Sequence, residues 1–185
     1  MIRYSDKIIV MGKKYDAVLL KAEKQDGQEL KRLYNSWFKL KEGLTKFESR
    51  APNLPEGISE GAFSLEFNCP RVLEVSGTSG SYDCYNPKTQ ERIQIKATTI
   101  KYDLTSFGPE SVWDVLYFLD FYRDGKFDGK YDVYKIPNDL IYNFQINKTQ
   151  TFRDQQNEKR RPRFSLKKMI IEPNKITPVK TCKVG

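Results

Sequence analysis

A chain of 185 residues with 38% hydrophobic and 30% charged residues fits one soluble globular domain, or a compact core with an appended arm, and no apolar run approaches the ~20 residues a membrane helix needs. Histidine is absent, which removes Ser-His-Asp and Cys-His nucleophilic catalysis and most zinc-hydrolase sites, so any catalysis must use carboxylates, lysine, tyrosine or an oxygen-held metal. The net charge of +8 lies wholly in residues 145–185, with 11 Lys/Arg against 3 Asp/Glu, and concentrated positive charge of this kind suits a polyanion partner.

In chain order, residues 1–16 have charges interrupting their apolar positions, so they do not read as a secretory signal, and a cytoplasmic protein is expected. Residues 8–20 alternate unevenly and fit a strand or a helix. Over residues 28–47, Leu30, Leu33, Tyr34, Trp37, Phe38, Leu40 and Leu44 recur at three-to-four spacing, which predicts an amphipathic helix with Gly43 as a candidate break. Pro52 and Pro55 mark a connection. Residues 57–67 predict a second helix whose apolar face carries Ile58, Ala62, Phe63 and Leu65, with Glu60 beside that face. Residues 71–75 form a short apolar stretch, and 77–81 read as a flexible glycine/serine link. Residues 82–85 look like a strand. Asn86, Pro87, Lys88 and Thr89 have turn chemistry. Residues 91–99 alternate with period two: Ile93, Ile95 and Ala97 to one side, Gln94, Lys96 and Thr98 to the other. Residues 113–122 predict a buried central strand, 124–129 a hairpin-like turn, 131–136 a strand pairing back, and Pro137 to Asp139 the start of a short helix or turn. After residue 150 the chain is polar and basic and is expected to be irregular in part. Helices followed by clustered strands suggest an α/β or α+β fold around a central mixed sheet.

The chemistry concentrates between Asp83 and Lys96. Magnesium takes hard oxygen ligands, and phosphodiester cleavage needs an activated water and stabilisation of developing charge. A carboxylate on one strand, with an amide and a lysine two apart on its hairpin partner, supplies such parts, because residues 94 and 96 share a face. The three free thiols expected at Cys69, Cys84 and Cys182, odd in number and without CxxC spacing, offer neither a disulfide framework nor a structural zinc site. By spacing alone, a surface hairpin with a solvated Asp and Lys would look the same.

These residues resemble the PD-(D/E)XK nuclease superfamily: Asp83, ten intervening residues, then Gln94-Ile95-Lys96. The resemblance implies Asp83 as principal metal ligand, Lys96 as the residue that orients or activates the attacking water, and Gln94 at the position usually held by Glu or Asp. It also implies a glutamate on the preceding helix, a place that Glu60 fits. The proline of the superfamily's name is absent; Tyr82 stands there. Gln94 leaves the site one negative charge short, which makes Glu60 more necessary and two-metal chemistry less favoured. Residues 103–143 and the stretch from Glu158 to Ser165 resemble the corresponding parts of small bacterial Type II restriction endonucleases, most closely a family that cuts GCNGC. The resemblance implies a restriction-endonuclease-like α/β (α+β) core, sequence-specific double-strand cutting with Mg2+, a homodimer on a palindromic site, and a cognate DNA methyltransferase as functional partner without a stable complex. It implies one endonuclease domain, with residues 1–54 as an N-terminal helical part, 55–144 as the catalytic core and 145–185 as a basic DNA-contacting arm.

Within that arm, Lys159, Arg160, Arg161 and Arg163, stiffened by Pro162 and anchored by Phe164, are the candidate contacts to double-stranded DNA. An arginine grips guanine O6 and N7 with two hydrogen bonds, or pins a phosphate. Lys148 and Arg153, with Lys167 and Lys168, are expected to add non-specific affinity. Ser106, Phe107, Gly108 and Ser111 are a candidate DNA-facing loop, and Asp114 and Asp120 read as structural. The aromatic helix over 28–47 has two readings, core packing and dimer surface. A structure-specific repair or junction nuclease and a non-catalytic DNA-binding protein stand as the alternative functions.

Overall fold

The structure, a computed structural model, describes residues 1–77 and 81–185. Most of the link expected over 77–81 therefore lies outside the described residues. The first 21 residues are not helical. Strands β1 (Ile2–Val10) and β2 (Lys13–Lys21) form an antiparallel hairpin. Its two-residue turn, Met11 and Gly12, has positive φ at both positions (50° and 77°), the geometry that matches strand twist. Ile8, Val10, Ala17 and Leu19 are buried against Tyr82 and Tyr85. The Tyr85 hydroxyl ties the hairpin down by donating to Ile9 O and accepting from Ile9 N, both at 3.1 Å. The alternation is hard to read because β1 is an edge strand, exposed at most positions.

Helix α1 (Gly27–Thr45) buries Leu30, Tyr34 and Trp37 along one face, and Gly43 does not break it. Helix α2 (Glu56–Phe67) starts directly after Pro55 and ends at Asn68, which takes the left-handed conformation. The two helices cross closely at Gly61, where a Cβ would come within 2.9 Å of the Leu30 side chain.

Strands β3 (Arg71–Val75), β4 (Cys84–Asn86) and β5 (Glu91–Thr98) follow. Between β4 and β5, Asn86 Oδ1 accepts from Lys88 N at 3.0 Å, the turn its sequence predicts. Then come β6 (Thr105–Ser106), β7 (Val115–Asp120), β8 (Lys130–Ile136), helices α3 (Asn138–Tyr142) and α4 (Phe152–Asn157), β9 (Arg163–Phe164) and β10 (Lys180–Lys183). Eight strands make one mixed sheet in the order β1-β2-β3-β4-β5-β7-β8-β10, with β5 and β7 parallel at its centre. The mixed central sheet with flanking helices is the α/β arrangement expected.

The pleat of β7 explains the layering. Leu119 packs with Ile93 and Ile95 against α1 and α2. Leu116 and Phe118 face the opposite way, onto Phe107, Phe152, Phe164, Leu166, Ile170 and Ile171. The basic C-terminal segment is therefore not a free arm. Its scattered apolar residues cover the second face of the sheet, and β10 pairs with β8 at the far edge. Thr151 and Asp154 cap α4 reciprocally, and Lys167–Ile171 forms one π-helical turn.

Candidate active site

A cleft of about 420 Å3 opens where α2 meets the sheet, lined by Glu60 from α2, Asp83, Ile95 and Lys96 from the β4–β5 region, and Thr105 and Ser106 of β6. Asp83 precedes β4, and its backbone is fixed on both sides: its N–H donates to Ile93 O and its carbonyl accepts from Val72 N, each at 2.9 Å. Its carboxylate is fixed as well. Both Gln94 Nε2 and Ile95 N (2.6 Å) donate to Oδ2, while Oδ1 accepts no hydrogen bond from a described residue. Gln94 is buried, at 3% exposure, and its Oε1 has no hydrogen-bond partner among the described residues. Lys96 sits half-buried with its ammonium 5.4 Å from the centre of the Phe107 ring.

Glu60 is held by Arg71, whose Nε and guanidinium terminus both reach Oε2 at 2.7 Å. Burial, then the neighbouring Asp83 charge, push the Glu60 carboxyl up to about 7 despite Arg71, which pulls it down. Asp83 is also raised, first by burial, against the downward pull of Lys96 and the Ile95 N–H. The site thus holds carboxylates that are hard to ionise together and an amide oxygen with nothing to donate to it.

Those features suit a hard divalent cation. A cation would relieve the repulsion between Asp83 and Glu60 and satisfy Gln94 Oε1, and all three donors are oxygens. No group of three His, Cys, Asp or Glu able to hold a metal occurs among the described residues. The donors at hand are one or two carboxylates and an amide oxygen, which fit a hard divalent cation that keeps several waters.

The linkage has a definite sign. Between pH about 4.5 and about 7 the folded chain retains a Glu60 proton that the unfolded chain releases, so this group lowers stability as pH rises through that window. Thermal melting without divalent metal should show that loss, and Glu60→Gln should remove it. Added Mg2+ should raise the melting temperature more at about pH 8 than at about pH 5.5. An equal shift at both values would argue against these carboxylates as the ligands.

The structure brings Asp83, Lys96 and Glu60 to one cleft, with Gln94 buried against Asp83 and not itself lining it, and it joins the basic run to the rim of that cleft. Strand β9 pairs with β6, with Ser106 opposite Arg163 and Thr105 opposite Phe164. Phe107 N donates to Pro162 O at 3.1 Å. Helix α4 is pinned to the same loop, Gln156 Nε2 donating to Gly108 O at 3.2 Å and Ser111 O at 3.3 Å. Lys148, Arg161 and Arg163 are exposed. Arg153 lies 4.8 Å from the Tyr142 ring, Lys159 pairs with Glu110 at 3.8 Å, and Arg160 pairs with Glu158 at 3.3 Å. Phe107, a candidate for the DNA-facing loop, is instead fully buried.

Three residues take parts that their sequence context does not reveal. Lys167, expected as a surface cation, makes a buried ion pair with Asp120, which is 1% exposed. Asp103 anchors the C-terminal layer by accepting from Ser165 Oγ (2.9 Å), Leu166 N (3.0 Å) and Lys167 N (3.1 Å). Arg71 is the partner of Glu60. The Lys167 and Asp103 pairings span residues distant in the chain, and Arg71 meets Glu60 across a change from helix to strand, so no local pattern marks them. Asp114 pairs with Arg92 at 2.8 Å, away from the cleft.

A mixed sheet with flanking helices, carrying a carboxylate, an amide and a lysine on adjoining strands beside a basic rim, is of the restriction-endonuclease type. The family model for the Bsp6I restriction endonuclease matches residues 22–173, and the chain belongs to that family. The Type II restriction enzyme Bsp6I of Bacillus sp. (strain RFL6) is 39% identical over 167 residues, which cover 86% of this chain and 89% of that relative. No solved structure matches the chain. No described helix is long and apolar enough to cross a membrane.

Proposed function

We propose that this chain is a Type II site-specific deoxyribonuclease that makes double-strand cuts by Mg2+-dependent hydrolysis at a short fixed site, GCNGC by resemblance. The observation that carries the reading is the meeting of Asp83, Lys96 and Glu60 at one cleft, with Gln94 hydrogen-bonded to Asp83 beneath it and the basic run at its rim. A divalent ion, when bound, supplies charge neutralisation at the scissile phosphate and a more acidic water. Asp83 and the free Gln94 Oε1 would hold it, with Glu60 as a further donor. Gln94 Nε2 and the Ile95 N–H keep Oδ2 occupied, so the carboxylate presents one fixed oxygen to the cleft. Lys96 orients the attacking water and offsets charge that develops on the phosphate. Arg71 holds Glu60 in place and partly offsets the cost of ionising it.

A palindromic target is most simply read by a two-fold dimer, with one centre per strand. A cognate methyltransferase that protects the host site completes the system without needing a stable complex. Leu33 and Leu40 on α1, and Phe47 just beyond its end, stay exposed, which leaves that helix available as a subunit contact.

Phage DNA incubated with purified protein and Mg2+ should give discrete fragments whose sequenced ends share one short sequence, and chelator should leave the DNA intact. Random nicking, or ends that follow DNA shape rather than sequence, would refute the proposed specificity.

A further inference from the structure

We propose that Arg163, with Ser106 beside it on the β6–β9 ribbon, is the specificity-determining residue that grips a guanine flanking the scissile phosphate; the assignment rests on the nuclease reading above. In antiparallel register, the opposed residues Ser106 and Arg163 share a face, and Thr105 and Phe164 share the other. The second face is used for anchoring. Phe164 stacks on Phe144 (4.4 Å between ring centres) and Phe107 (5.8 Å), and the Thr105 hydroxyl donates to Asp103. The first face is left for a ligand. Ser106 lines the cleft of Asp83 and Lys96, and its Oγ is covered yet has no hydrogen-bond partner among the described residues. A hydroxyl in that state is costly unless something from outside completes it. Arg163 is exposed and makes no ion pair with a described residue, whereas Lys159 and Arg160 are engaged by Glu110 and Glu158.

A two-stranded ribbon fits the major groove, where a guanidinium can take guanine O6 and N7 together and a serine hydroxyl can bond either neighbour. The ribbon is also tied firmly to the catalytic wall. Asp103 fixes Ser165 through Lys167 just after β9, and Phe107 N fixes Pro162 just before it. A base held by Arg163 would therefore set which phosphate rests against Asp83. Arg161 lies outside the ribbon, so its charge is assigned to the phosphate backbone.

The test uses duplexes of the site found by end sequencing, with 7-deazaguanine replacing one guanine at a time, and reads binding in Ca2+. Wild-type affinity should drop about tenfold or more at one guanine flanking the cut. Arg163→Ala should bind the unmodified duplex correspondingly less well and become indifferent to that one replacement, while staying sensitive to the others. Arg163→Lys should keep more overall affinity and part of the sensitivity to that replacement. Ser106→Ala should lose part of the same discrimination. Arg161→Ala should weaken every duplex alike and lower the salt dependence by about one counterion. Undiminished sensitivity of Arg163→Ala at every guanine, or a wild type indifferent to all replacements, overturns the assignment and leaves the nuclease reading standing. A wild type that cuts at no fixed site in any divalent metal ends that reading and this assignment together.

Discussion

Asp83→Ala and Lys96→Ala should each lose DNA cleavage by roughly 10²- to 10³-fold or more, the scale set by removing one group that stabilises developing charge. Specific binding in Ca2+ should survive, because the contacts expected to hold the duplex lie on the basic rim. The two losses have different origins. Without Asp83, the donors of Gln94 and Ile95 face an empty position and the cleft loses its best-oriented anionic oxygen. Added Mg2+ should recover little. Without Lys96 the oxygens remain in place, so metal dependence should stay near normal while the single-turnover rate falls. Asp114→Ala is the natural comparison: its partner is Arg92, outside the cleft, and cleavage should change only slightly. A near-normal single-turnover rate for either principal variant would refute the site as drawn.

Lys167→Met should destabilise the protein by about 3–5 kcal/mol, the cost of leaving one member of a buried ion pair unmatched. The side chains of Lys167 and Asp120 are 15% and 2% exposed, and the ammonium reaches Oδ2. Asp120 also accepts from Tyr122 N at 2.9 Å, so its carboxylate cannot simply turn to solvent. Burial lowers the Lys167 pKa, but the Asp120 hydrogen bond and charge outweigh it and leave the group raised. Urea unfolding should show a lower midpoint with an unchanged slope. The double variant Asp120→Asn/Lys167→Met should recover much of the loss, because the buried charge goes with its partner. Equal destabilisation by the single and double variants would mean that packing, not charge, is what Lys167 contributes.

The legible parts of the sequence are those where the pattern and the partner are both local. Residues 91–99 alternate cleanly, Asn86 and Pro87 mark the turn before them, and the β4–β5 hairpin follows. The helix over 28–47 is legible from its spacing, and so is the central strand from its apolar run. The first hairpin is not, because an exposed edge strand carries charges where a buried strand would carry aliphatics. Nor is the C-terminal layer: Phe152, Phe164, Leu166 and Ile170 are separated by basic residues, and only the opposite face of β7 explains their burial. At the site, Asp83, Gln94 and Lys96 can be grouped from spacing because one hairpin carries them. Arg71 cannot, since it meets Glu60 only after the chain has turned from helix into strand. The same holds for Lys167, which the local charge run presents as one more surface cation.

The most direct test of the account is a Mn2+ titration followed by electron paramagnetic resonance, with cognate duplex present. Wild-type protein should immobilise the ion at a site that Asp83→Ala abolishes and Gln94→Ala weakens, while Lys96→Ala retains it. Binding by Asp83→Ala indistinguishable from wild type would contradict the account, because the ion would then be held somewhere other than the carboxylate–amide–lysine cleft.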